Sequence, residues 1–344
     1  MYREILGTRL PIIQAPMAGV QGSALAAAVS NAGGLGSLPC AMLSAQALAE
    51  ELSKLRSLTS GPFNLNFFCH TSPQPDPSAE RVWRTLLAPY FEELGLDQGS
   101  IPDGPERRPF DHATADIIEA FKPAVVSFHF GLPQADLLAR VKSWGSRVVS
   151  SATTVAEAQW LQAQGVDAII AQGLEAGGHR GHFLQPALDG QMPLRDLLGA
   201  ITAATDLPVI AAGGVATADD VRNCIEAGAM AVQVGTAYLL CPQATTSALH
   251  RSAIKLFQPG STALTNLYSG RPARGITTRL MRELGPINKA APAFPTASTA
   301  ITVLRAAAEA KGDSSFSPLW CGERGEWCED IDAGELTRQL ASAL

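Results

Sequence analysis

What most limits the fold of this chain is a rhythm: a short apolar run, a turn, then a helical stretch, eight times over. The runs are Ile12–Ala15, Gly34–Leu38, Phe63–Phe67, Ala124–Phe128, Arg147–Ser151, Ala168–Gln172, Pro208–Ala212 and Ala231–Val234. They lack alternation of apolar and polar residues, as expected of parallel strands buried on both faces. Ser23–Asn31 and Ser44–Leu58 read as the helices after the first two runs. Thr154-Val-Ala-Glu157 reads as a capping box; Thr217-Ala-Asp-Asp220 repeats it, with two carboxylates where the helix dipole favours them. Gly165 and Gly228 fall just past helix ends, the usual place for a left-handed cap. Eight alternations favour an α/β TIM (β/α)8 barrel. An open doubly wound sheet is the alternative, because strand order is not written in a single sequence. With 46% apolar residues among 344, the chain has the material for one large core.

Two stretches break the rhythm. Residues 70–112 carry Pro73, Pro75, Pro77, Pro102, Pro105 and Pro109 around one helical segment near Ala79–Leu94. Residues 241–300 are longer than one crossover helix needs. Long insertions on a barrel usually follow the carboxyl ends of strands, where they wall a site. The sequence therefore predicts a barrel made of 1–240 and 301–344, with 241–300 as a smaller inserted helical domain capping the substrate. Gly312–Asp330 reads as a terminal arm without an assignable role.

Charge and composition exclude several partners. The net charge of −6 is spread out, with no basic stripe for nucleic acid and no Lys/Arg run beside an apolar helix for a membrane. No run of 18 apolar residues occurs, and Met1–Arg9 lacks the apolar stretch of a secretory signal, so the expected location is the cytoplasm. Cys40, Cys69, Cys224, Cys241, Cys321 and Cys328 form no C-x-x-C pair and read as reduced thiols; no metal site is expected.

The turns after the last two runs point to a phosphate. Ala211-Ala-Gly-Gly-Val215 and Gln233-Val-Gly-Thr236 stand where barrels of this class often hold one. Glycines let backbone N–H groups reach its oxygens, and Thr236 adds a hydroxyl. Ordinary strand-to-helix turns are the plain alternative. Neither turn has a Lys or Arg, so the backbone would do most of the binding. Asn66 and Gln172 end the third and sixth runs; amides donate and accept at once, which suits a heterocycle, or they are satisfied by neighbouring backbone. His129 ends the fourth run in Ser127-Phe-His-Phe-Gly131. The glycine-rich loop Ala171–His182 gathers His179, Arg180 and His182, and a histidine there can exchange a proton near neutral pH. Glu175 reads as a brace for that loop, and His70, His112 and His250 as surface or packing residues.

A resemblance rests on Pro11-Ile-Ile-Gln-Ala-Pro-Met-Ala-Gly19, Asn64-Leu-Asn-Phe67, Ser127–Gly131, Ala171–Gly181, Ala212-Gly-Gly-Val215 and Gln233-Val-Gly-Thr236. Together they resemble the nitronate monooxygenase (2-nitropropane dioxygenase) family of FMN-dependent barrels. The resemblance implies that Asn66 and Gln172 contact FMN, with Gly177 and Gly178 close to the flavin and Met17 near its ring. It implies that Gly213, Gly214, Gln233, Val234, Gly235 and Thr236 hold the ribityl phosphate. His179 matches the family's catalytic histidine and His129 a histidine of the substrate pocket. The implied activity is oxidation of alkyl nitronates, or related stabilised carbanions, with O2 as electron acceptor. One departure stands out. Nitronate-oxidising members carry two tyrosines and a lysine spaced by four near the end of the capping domain. Alignment on Pro292 and Pro295 puts Phe294, Ser298 and Thr302 there, which predicts a weaker grip on a nitronate.

Two rival readings remain at this stage. One is a reductase in which NAD(P)H reduces the same FMN and a quinone or enoyl thioester takes the electrons. The other is non-redox: a phosphate-binding lyase or isomerase, or a flavin-binding protein without turnover. A monomer and a homodimer are equally compatible with the sequence.

Overall fold

In a computed structural model of the chain, residues 1–101 and 107–344 are described. Eleven strands occur among them: β1 Ile12–Gln14, β2 Gly36–Pro39, β3 Phe63–Phe68, β4 Val125–His129, β5 Arg147–Ala152, β6 Ala168–Gln172, β7 Gly178–His179, β8 Val209–Ala212, β9 Ala231–Val234, β10 Thr262–Thr265 and β11 Ala273–Ile276. Eight of them pair in parallel in the order β2-β3-β4-β5-β6-β8-β9-β1. The ends then meet: Leu35 N–H donates to Ile12 O (2.8 Å) and Gln14 N–H to Leu35 O (3.0 Å), closing the barrel and excluding the open sheet.

The uninterrupted apolar runs follow from this closure. Ile12, Leu65, Val126, Phe128, Ile169 and Ala171 join the core shared with the surrounding helices. Their neighbours Ile13, Val125, Ala168 and Ile170 form a second core inside the barrel, where Leu6 of the short helix Tyr2–Leu6 joins them. Successive side chains point to opposite faces of a strand, so the interior set continues by twos toward the carboxyl rim. There it turns polar: Ser127 and His129 follow Val125, Gln172 follows Ile170, and Gln233 follows Ala231. Register aligns Gln172 with Ala212 and Ala212 with Gln233. The glycine turns after β8 and β9 are thus neighbours, on the rim from which the His179 loop also leaves.

The two stretches that break the rhythm share a core of their own. Pro77 stands in the first turn of the helix Pro77–Leu94, capped by the Asp76 carboxylate, which accepts from Ser78 and Ala79 N–H (both 3.0 Å). Trp83, Leu87, Tyr90 and Phe91 of this helix pack with Leu267, Tyr268, Ala300, Ile301 and Leu304. Each such side chain contributes roughly 1.5–3 kcal/mol when fully buried. Pro102 and Pro105 lie outside the described residues. Residues 241–300, expected to be helical, hold the helices Ala248–Lys255 and Arg279–Leu284 and, in addition, the antiparallel pair β10–β11. β11 also pairs with β7, Ala273 lying opposite His179 and Arg274 opposite Gly178. No helix among the described residues is long and apolar enough to cross a membrane.

Candidate active site at the barrel mouth

The carboxyl rim opens into a cavity of about 320 Å³, within the range of roughly 300–1,000 Å³ common for small-molecule sites. It brings together Met17, Asn66, His129, Gln172, Gly177, Gly178, His179, Gly213, Gly214, Gln233, Gly235 and Thr236. Val234, grouped with them from the sequence, does not reach the cavity. Its side chain is buried against the helical layer, because its parity on β9 is opposite to that of Gln233, and its carbonyl accepts Ala15 N–H at 2.7 Å.

At one end of the cavity the backbone is bent to present donors. Gly213 (φ 115°) and Gly214 (φ 67°) occupy the left-handed region that side chains disfavour. The N–H groups of Gly213, Gly214 and Val215 donate to no acceptor among the described residues. Unpaired backbone donors of this kind are costly unless a ligand or water takes them. Thr236 lines the cavity; its Oγ1 accepts Gly322 N–H (2.9 Å) and its side chain also hydrogen-bonds the Cys321 side chain. The turns therefore fit a phosphate held by neutral donors.

The loop after β6 is clasped from below. The Gln172 amide does not face outward as a free pair of groups. Its Nε2 donates to His179 O (2.9 Å) and its Oε1 accepts Gly181 N–H (2.8 Å), so it pins the loop backbone. Asn66 Nδ2 donates to Ser127 Oγ (2.9 Å), which leaves Oδ1 without a partner among the described residues. Arg180 is fully buried beneath the loop, donating to Gly173 O (2.6 Å), Gln172 O (2.7 Å) and Gln191 Oε1 (2.8 Å). Glu175 is the brace its position suggested, accepting Leu194 N–H at the start of the helix Leu194–Ala204 (2.9 Å).

His179 Nε2 shares a hydrogen bond with Ser269 Oγ (2.8 Å), whose single proton has a second acceptor in Arg271 O (3.2 Å). The tautomer with the ring proton on Nε2 leaves the hydroxyl proton to Arg271 O. Nδ1 of His179 then carries the lone pair. His129 Nε2 donates to His179 O (3.2 Å), and its Nδ1 accepts from Ser151 Oγ (3.0 Å). Both nitrogens of His129 are thus engaged by protein, and the ring positions the His179 backbone. Burial, then the Arg271 charge, pushes the His129 pKa down to about 3. Burial, then the Arg107 charge, holds His179 well below its ordinary 6.5. Both rings are neutral at neutral pH.

His70, read as surface or packing, is a packing residue: its buried ring lies 4.9 Å from that of Phe294, in an aromatic group with Phe68 and Phe130. Sequence reasoning missed two contributors. Arg107 lines the cavity. The arm Gly312–Asp330 closes the wall: Trp320 lies 5.5 Å from the His179 ring, and Gly322 passes so near Gly177 that a Cβ there would come within 2.6 Å of Gly322 N. Of these, only the two tryptophans and the glycines of the arm left a trace in the sequence. Phe294 stands at the site, 5.6 Å from His179 ring to ring. Ser298 and Thr302 do not line the cavity; their hydroxyls donate back to Pro295 O and Ser298 O (both 2.7 Å).

A closed (β/α)8 barrel with its titratable groups, glycine turns and cavity on the carboxyl rim has the organisation of a TIM-barrel enzyme. The nitronate monooxygenase family description matches residues 1–342. A nitronate monooxygenase of Pseudomonas aeruginosa is 40% identical over all of this chain and 98% of its own length. One from Paraburkholderia phytofirmans is 40% identical over 99% and 93%. Among solved structures, nitroalkane oxidase from Streptomyces ansochromogenes superposes with a TM-score of 0.89 at 37% identity, covering 99% of this chain and 97% of that one. A FabK structure from Thermotoga maritima, at 23% identity and a TM-score of 0.74, shares the fold. The chain belongs to the nitronate monooxygenase family, and is an oxidoreductase.

Proposed function

We propose that the cavity binds FMN and that the protein oxidises alkyl nitronates, or related stabilised carbanions, with O2 as electron acceptor. The observation that carries the reading is the set of unpartnered N–H groups at Gly213, Gly214 and Val215, beside Gly235 and Thr236 and on the same rim as His179. Each hydrogen bond they give a phosphate is worth roughly 1.5–3 kcal/mol. FMN, when bound, supplies a two-electron acceptor that O2 reoxidises. Asn66, whose Oδ1 is unpartnered among the described residues, would hold the polar edge of the ring, Met17 would give an apolar wall, and Gly177 and Gly178 would permit close approach of the loop. Gln233 and the backbone next to Val234 complete the phosphate end. Gln172 and His129 hold the carbonyl of His179, fixing where its ring stands. His179 Nδ1 accepts the α-proton of a neutral nitroalkane; a nitronate, already deprotonated, needs no base. Residues 241–300 act as the cap that excludes water during the reaction.

The test is an absorbance spectrum of the purified protein followed by oxygen uptake with small nitronates. A yellow protein that consumes O2 with a nitronate supports the reading; a colourless protein, or no uptake with any nitronate, overturns it. Rapid anaerobic bleaching by NADH without nitronate turnover selects the reductase instead.

A pH profile follows from the depressed His179 pKa. A base whose pKa lies below 6.5 stays unprotonated as the pH falls through 6.5 and loses activity only on passing its own lower value. kcat/KM for a neutral nitroalkane is therefore expected to show no histidine inflection near 6.5. A half-maximal point there would contradict the buried, neutral ring.

A further inference from the structure

We propose that Arg107 holds the anionic end of the substrate, supplying from the 70–112 stretch the cation that Thr302 does not provide. The inference rests on the cavity being the nitronate-oxidising site. Arg107 lines that cavity with its guanidinium 5.4 Å from the centre of the Phe294 ring. Its Nε is buried and has no hydrogen-bond partner among the described residues. Burial pulls its pKa below the ordinary arginine value, and no carboxylate among the described residues opposes the shift. Behind the aromatic group lies a second cation, Arg271, its guanidinium 4.1 Å from the Phe130 ring centre. One of its nitrogens donates to His182 O, and its Nε is likewise buried without a partner.

Burying a cation with no opposing charge among the described residues, as at Arg107, is unfavourable, and the aromatic face offsets only part of that cost. A bound anion removes the rest. Arg271 has the Glu157 carboxylate acting on it. A guanidinium presents a planar fork that matches a pair of oxygens sharing one negative charge. The nitronate group is such a pair, and Phe68, which lines the cavity and packs with Phe130 and Phe294, offers an apolar surface for a short alkyl chain beside it. After burial, the Arg107 charge does most to keep His179 neutral, which places the two within electrostatic reach of one ligand. The geometry thus selects a small, planar, singly charged oxyanion carrying a short apolar chain.

Nitrate, a planar oxyanion of the same charge that cannot react, is the probe. Its binding to the flavin-loaded protein is measured by calorimetry for wild type, R107K and R107Q, alongside KM and kcat for a nitronate. R107Q is expected to weaken nitrate binding by about tenfold or more, about 1.4 kcal/mol, and to raise KM while kcat changes less than about threefold. R107K, which keeps the charge but loses the fork, is expected to fall between. Wild type that binds no nitrate, or R107Q that binds it within about twofold of wild type, overturns the proposal. Should R107Q fail to fold, R107K decides: weaker binding with an unchanged melting temperature supports the site, and unchanged binding overturns it. Wild type that binds nitrate through Arg107 yet consumes no nitronate upholds the anion site and removes the reaction.

Discussion

A His179→Ala enzyme is expected to lose about 10²–10³-fold in kcat/KM on a neutral nitroalkane, but less than about tenfold on the same compound supplied as its nitronate. The asymmetry comes from the tautomer. With the ring proton on Nε2, toward Ser269 Oγ at 2.8 Å, Nδ1 offers the lone pair that the proposed reaction uses as its base. Only the neutral substrate needs one. Oxygen uptake on paired solutions of the two forms, mixed fast enough to prevent their interconversion, measures both losses. Equal losses would remove the role of base and leave His179 as a binding group. A His129→Ala variant bears on the same point from behind: His129 touches His179 only through the carbonyl oxygen, at 3.2 Å.

Arg180→Met is expected to destabilise the protein by about 3–5 kcal/mol. The guanidinium sits at 0% exposure, and its pKa, lowered by burial to about 10, leaves it charged at neutral pH. Methionine fills much of the volume but donates nothing. Gln172 O, Gly173 O and Gln191 Oε1 would each lose a charged donor at 2.6–2.8 Å in a dry interior. Two of these acceptors stand at the end of β6, where the loop of His179 begins. Lys in place of Arg keeps the charge and reaches fewer acceptors, so R180K is expected to fall between. Urea unfolding of the three proteins compares them; an R180M midpoint and slope equal to wild type would show that the clamp contributes nothing.

The barrel was legible because its strands are short and buried on both faces. Ala168–Gln172 and Ala231–Val234 match the structure residue for residue, and the other runs differ by one or two positions at their ends. The polar residues of the mouth were legible for a related reason. Asn66, His129 and Gln172 interrupt apolar runs at their carboxyl ends, a burial cost that local packing does not explain. Partnerships between distant segments left no such mark. Ala273–Ile276 has no alternation and no turn signal tying it to Gly178–His179, nearly a hundred residues away. Arg107 sits among prolines and charges that read as loop, and only the fold sets its guanidinium over Phe294. Arg180 read as one of the polar groups gathered by the loop, and its clamp left no further mark because two of its three acceptors are backbone carbonyls, which no residue type announces. The amide of Gln172 was open to both a heterocycle and neighbouring backbone, and only the fold decides: the groups that occupy it, His179 O and Gly181 N–H, belong to the main chain.

His179 is a rung of a three-stranded ribbon, and the other two strands come from the 241–300 stretch. The His179 ring is therefore held jointly by barrel and insertion. Exchanging that insertion for one from a distant relative, as a route to new substrates, would strip the ribbon from β7 and release the ring along with it. A transplant that keeps Ala273 and Arg274 in register with Gly178 and His179 carries its own support, which sets the seam for grafting between the two rungs and the rest of the hairpin.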